Sequence, residues 1–112
     1  MMNRVIIESP FKGRNECEED SNIIYAKVCM QDSLSRGEAP FASHLLYTQE
    51  GILNDSIPDQ RKQGIEAGHA WLKVADYAAF YIDRGISEGM RAALIACNVL
   101  GIRFEFRKIH ND

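Results

Sequence analysis

Brief apolar runs alternate with stretches of helical periodicity along almost the whole chain, and few folds accept that order. "RVIIES" (4–9) reads as a short buried strand closed by a Ser-Pro turn. The polar stretch "PFKGRNECEED" follows as a loop, and from about Asp20 the pattern turns helical. Ile23, Ile24, Ala26, Val28, Met30 and Leu34 give that helix an apolar side, with Asp20 or Ser21 as its cap and Gly37 as its stop. "APFAS" (39–43) is a brief second strand. A long connection over 44–56 carries turn signals at Glu50-Gly51 and Asn54-Asp55. Ser56 ahead of Ile57-Pro58 then opens a second helix to about Val74, because proline fits a first helical turn. Ile65, Gly68, Ala70 or Trp71, Leu72 and Val74 are its expected inner side. "DYAAFYID" (76–83) is a third strand, Ser87 to Leu100 a third helix ended by Gly101, and "IRFEFRKI" a fourth strand. In that last strand Ile102, Phe104 and Phe106 alternate with Arg103, Glu105 and Arg107, as expected of an edge strand with one buried face.

Strands alternating with helices of about 15 residues imply a parallel sheet covered on both faces and joined by right-handed crossovers. The 112 residues suffice for one core, so residues 1–112 are expected to form a single compact α/β domain. The predicted fold is Rossmann-like (flavodoxin-like), with three layers and four parallel strands in the order 2-1-3-4. That order puts the topological switch between strands one and three, where open α/β sheets bind ligands beyond the carboxyl ends of their strands. The loops leaving those two strands are "SPFKGRN" and "DRGISEG".

Composition removes several classes of function. A hydrophobic fraction of 46% and a charged fraction of 26% are those of an ordinary globular protein. No apolar run approaches the ~20 residues that span a bilayer, and "VII" after "MMNR" is too short for a secretory signal. The expected location is the cytoplasm, with no membrane partner. The net charge of −3 lacks the basic footprint of a nucleic-acid binder, although Arg84, Arg91, Arg103 and Arg107 could still gather around an anion. Cys17, Cys29 and Cys97 are too scattered for a disulfide framework or a zinc site, and Cys29 and Cys97 fall in helical patterns that suit core thiols. No metal and no cofactor are expected. So small a domain is expected to associate as a homodimer or higher oligomer.

The helix mouth at "ISEGM" concentrates the chemistry. The free amides of the first turn, with the Ser87 hydroxyl, offer donors to a phosphate or carboxylate. Gly85 permits an unusual turn, and Gly89 allows a close approach to the backbone. The simpler reading makes Ser87 a plain cap, Gly89 a packing glycine, and Glu88 a carboxylate favoured by the helix dipole. Asp83 either faces the crevice or caps the "DRG" turn. Arg36, Ser43 and His44 are placed together near the end of strand two, where His44 is a ligand contact or a structural loop residue. Glu66 faces the crevice or a partner, and Trp71 with Tyr77 stacks on a base or fills the core. His69 lies in a helix and His110 in the tail.

The stretches "ESPFKG", "YAKVCMQDSLSRGEAPFASHLLYTQEGIL", "GIEAGHAWLKVAD", "YIDRGISEGMRAA" and "GIRFEFR" together cover most of the chain. In them it resembles the nucleoside 2-deoxyribosyltransferase-like superfamily, and within it a small branch found in phages and bacteria. The resemblance implies a nucleotide-like ligand, with Ser9, Pro10 and Phe11 near sugar and base and Asp83 as the acid contacting them. It also implies a 5′-phosphate at Ser87 and Gly89. The superfamily's glutamate nucleophile stands six residues after that serine, where this chain has Ala93. Alanine cannot attack an anomeric carbon, which favours binding over turnover. The expected ligand-binding set is therefore Ser9, Pro10, Phe11, Arg36, Ser43, His44, Asp83, Gly85, Ser87, Gly89 and Met90. For an N-glycosidic hydrolase or transferase acting on nucleoside monophosphates, Glu88 or Asp83 would supply the carboxylate.

Overall fold

The computed structural model describes residues 2–110. Four parallel strands, β1 (Arg4–Glu8), β2 (Ala39–Phe41), β3 (Tyr77–Tyr81) and β4 (Phe104–Arg107), form one sheet in the order β2-β1-β3-β4. Ile6 pairs with Phe41 on one side and Ala78 on the other, while Phe80 pairs with Phe106. The helices are α1 (Glu16–Ser35), α2 (Ser43–Leu46), α3 (Pro58–Leu72) and α4 (Glu88–Leu100). The expected doubly wound α/β architecture is thus the observed one.

Strand alternation divides the core in two. Val5, Ile7, Tyr77, Ala79 and Tyr81 point to the face covered by Tyr25 and Cys29 of α1. Ile6, Ala78 and Phe80 point to the opposite face, against Leu72 of α3 and Met90, Ala93 and Cys97 of α4. Every residue of β3 is buried, as a central strand of a two-sided parallel sheet must be. Both Cys29 and Cys97 are core thiols, and burial pushes them up to about 12 and about 11.

Several boundaries differ from expectation. α1 starts a turn earlier, where the Asn15 side chain accepts a hydrogen bond from Glu18 N at 2.8 Å and Glu16, Glu18 and Glu19 suit the positive helix end. Its inward residues are Asn22, Tyr25, Ala26, Cys29 and Ser33, whereas Ile24 and Leu34 face solvent at 64% and 54% exposure. The reason is that this sheet face is partly polar. Arg107 and Glu38 form a buried ion pair there at 2.7 Å, with Ser33 Oγ donating to Glu38 at 2.7 Å and Tyr77 also bonded to it. Arg107, expected on the open side of its edge strand, is drawn inward by that pair, and Phe106 is left half-exposed. The four arginines do not gather as one cluster: Arg84 bonds Asn22, while Arg103 and Arg107 both approach Glu105, at 3.9 and 3.3 Å. β2 ends at Phe41, and Ser43 opens the short α2 inside what read as an irregular connection. Proline opens α3 as expected, with Ile57 and not Ser56 as the flanking residue.

Candidate functional site

A cleft of about 270 Å³ opens beyond the carboxyl ends of β1 and β3, at the topological switch. Four segments build its wall. The turn after β1 contributes Ser9, Phe11 and Lys12, and α2 with its continuation contributes Ser43, His44, Tyr47 and Thr48. α3 presents Arg61, Gly64, Ile65 and His69, and the mouth of α4 presents Ser87 to Met90. Glu8, the last residue of β1, completes it.

Local sequence explains each placement. Ser87 has extended backbone angles, and its hydroxyl accepts the Met90 amide at 3.2 Å. That bond leaves the Glu88 and Gly89 amides with no partner among the described residues. The cap reading and the donor reading therefore coexist in one residue. Gly89 is no packing glycine, since a Cβ built there meets nothing within 4 Å. Gly68 is one: a Cβ there would come 2.4 Å from Ser43 Oγ, so its missing side chain lets α2 lie against α3. Gly85 sits at φ +83° and closes its turn through an amide donated to Ile82 O at 2.9 Å.

The polar groups of the cleft are unevenly satisfied. Ser9 Oγ lies 2.7 Å from His44 Nε2, and burial holds the imidazole down at about 4, so it is neutral at physiological pH. Arg61 is paired with Asp55 at 2.9 Å, while Lys12 has no ion-pair partner among the described residues. Glu8 has neither a hydrogen bond nor a counter-charge among them, and burial alone pushes its carboxyl up to about 8. His69 is likewise shifted down by burial.

The cleft thus gathers Ser9, Phe11, Ser43, His44, Ser87, Gly89 and Met90 from the expected ligand-binding set and Glu88 from the catalytic alternative, while Gly85 does not line it. Pro10 is buried beside it and does not line it. Arg36 lies ahead of β2, at the amino end of the sheet, bonded to Asp32 at 2.9 Å. Asp83 neither lines the cleft nor caps its own turn. It accepts from Tyr25 Oη at 2.6 Å and from the amides of Ile109 and His110 at 2.9 and 3.0 Å. Burial works against its charge, but those bonds outweigh it and bring the carboxyl down to about 2. Trp71 and Tyr77 lie outside the cleft: Trp71 Nε1 donates to Tyr47 Oη at 2.8 Å, and Tyr77 belongs to the α1-side core.

Sequence reasoning missed Glu8, Lys12, Tyr47, Thr48 and Arg61. A charge ending an otherwise apolar strand was the available signal for Glu8. Tyr47 and Thr48 were hidden in the connection whose fold is set by contacts with α3.

The geometry is that of a doubly wound α/β domain with a ligand-sized crevice at its switch point. Within that class, the chain belongs to the family described as "Domain of unknown function (DUF7768)", which matches residues 3–107. No curated protein matches the sequence. Among solved structures it is similar to a 2-deoxyribosyltransferase from the psychrotolerant bacterium Bacillus psychrosaccharolyticus. The TM-score is 0.63 at 18% identity, over 97% of this chain and 74% of that one. At that identity the likeness shows a shared fold.

Proposed function

We propose that this protein binds a nucleotide or a nucleotide-derived small molecule in the cleft and releases it chemically unchanged. The observation that carries the reading is the α4 mouth, where the free Glu88 and Gly89 amides and Ser87 border the same space as the Ser9–Phe11 turn. Phosphate fits the amides and Lys12, and the aromatic walls Phe11 and Tyr47 suit a base or sugar face. The likeness to a 2-deoxyribosyltransferase fold supports a nucleoside-type ligand by analogy only. Ala93, at the position where the resemblance implies a nucleophile, is fully buried in the core beside Ile6 and Phe80. That residue supports binding without turnover.

One concrete form of this reading is a phage protein acting in the host cytoplasm that sequesters an ADP-ribose-type immune signal. Mass spectrometry of small molecules released from the purified, heat-denatured protein tests it, together with thermal shifts against nucleoside monophosphates and ADP-ribose. Empty protein with no shift from any compound refutes the reading. Free base accumulating from a nucleotide would replace it with N-glycosidic turnover. Self-association into a homodimer or larger assembly belongs to the same proposal, since α4 leaves Ile95 and Val99 59% and 78% exposed. A monomer mass by sedimentation at working concentration would remove that part.

A further inference from the structure

We infer that Glu8 is the group of this cleft that recognises the base, pairing with an amide or amidine edge of a nucleobase. This rests on the nucleotide reading above and assigns a role to a residue that neither the helix mouth nor the resemblance singles out. Glu8 ends β1 on the same sheet face as Ile6, so it points toward α4 and not toward α1. It lines the same cleft as Ser87, Glu88, Gly89 and Met90, which sets the carboxyl beside the α4 mouth. Arg107 Nε is the only buried side-chain polar atom without a partner among the described residues. The unpartnered Glu8 oxygens are therefore not sealed in the core but open to the cleft that Glu8 lines.

The chemistry follows from that placement. A neutral carboxyl carries one O–H donor and one C=O acceptor side by side. That pattern is complementary to the N–H/C=O edge of a pyrimidine or the N/NH₂ edge of a purine, and two hydrogen bonds form at once. An ionised carboxylate has lost the donor. Charge in the cleft points the same way. Lys12 and Arg61 balance Asp55 and Glu88, so a neutral Glu8 leaves the space open to an anion, whereas an ionised one would repel phosphate. Burial, with no opposing bond or cation, is what keeps its proton on at neutral pH. The remaining ionisable groups facing this space are His44 of α2, Tyr47 just after it and His69 of α3, and Glu8→Gln, which keeps all three, is the control for them. Burial lowers both histidines, so neither imidazole gains charge on the alkaline side where Glu8 loses its proton.

Two readouts test the inference. The first needs no ligand: an infrared difference spectrum between wild type and Glu8→Gln at pH 7. A protonated-carboxyl C=O band in the wild type alone, bleaching as pH rises through about 8, is expected; an ionised Glu8 at pH 7 overturns the inference. The second is calorimetric titration with AMP, UMP and ribose 5-phosphate. The nucleotides should bind more tightly than the base-free sugar phosphate. Glu8→Leu should cost about tenfold, one lost hydrogen-bonded pair, whereas Glu8→Gln, which keeps a donor and an acceptor, should bind nearly as wild type. Raising the pH to 9 should weaken the wild type and leave Glu8→Gln unchanged. Nucleotide binding that is indifferent to Glu8→Leu, or no tighter than ribose 5-phosphate, removes this inference and leaves the nucleotide reading standing. No binding of any nucleotide to the wild type removes both.

Discussion

Two glutamates sit at the margins of one sheet and are driven in opposite directions. Glu38, just ahead of β2, is 6% exposed and held down at about 2, chiefly by its bonds to Arg107, against the cost of burial. Glu8, at the end of β1, is pushed up to about 8 because burial acts on it and nothing answers. On the α1 side the polar groups, Arg107 Nε excepted, satisfy one another: Glu38 bonds Arg107, Tyr77 and Ser33, and Tyr81 Oη donates to Asp32 at 2.7 Å. On the cleft side the amides of the α4 mouth and the Glu8 carboxyl are left open. The first arrangement spends its hydrogen-bonding capacity on the fold, and the second leaves it unspent.

The largest break in that contrast is expected on the satisfied side. Arg107→Leu leaves Glu38 buried and unpaired, and should cost about 3–5 kcal/mol in urea unfolding. The double variant Glu38→Gln/Arg107→Met should lose clearly less than the single one. Equal losses would mean the pair is no coupled unit.

The two glutamates also give opposite pH signatures. Stability from Glu38, whose folded value lies below the ordinary 4.5, is present above 4.5 and lost as pH falls toward about 2. Stability from Glu8, whose folded value lies above 4.5, is present in full below 4.5 and lost as pH rises through about 8. Thermal melts from pH 2 to 9 should show both limbs, with the alkaline limb flattened in Glu8→Gln and the acid limb retained.

Next in size is the contact that closes the cleft wall. Gly68→Ala drives a methyl into Ser43 and should destabilise by about 1–3 kcal/mol, with Ser43→Gly restoring most of it in the double variant. Ser87→Ala removes the cap of α4 and should cost about 1 kcal/mol, while also weakening binding of a phosphorylated ligand. The smallest expected change is the sharpest in sign. Gly89→Ala lies in a helix with open space around it, so it should stabilise by about 0.5–1 kcal/mol while lowering ligand affinity. A variant both more stable and unimpaired in binding would show that this helix mouth faces no ligand.

Much of this was legible in the chain itself. Alternating strand and helix patterns gave the parallel sheet and its order, since crossover handedness and burial leave few alternatives. Ser87 and Gly101 marked both ends of α4 because caps are read from local backbone chemistry: Ser87 holds extended angles and Gly101 a φ of 70°. The Ser87–Met90 segment and the Ser9–Phe11 turn came together because topology alone brings them there. Other features depended on distant partners. Leu34 reads as core and is exposed, and Arg107 reads as surface and is buried, because Glu38 lies across the sheet from one residue that local pattern would turn outward. Asp83 reads as either a crevice residue or a cap of its own turn, and became a tether for Tyr25 and the 109–110 amides. Glu8 ends an apolar run and gives no hint of its proton. Periodicity and capping act within a few residues, so the sequence determined elements, order and the helix mouth. Ion pairing and desolvation depend on what folds opposite, so only the tertiary structure decided which carboxylate was neutralised by partners and which was left to hold its proton.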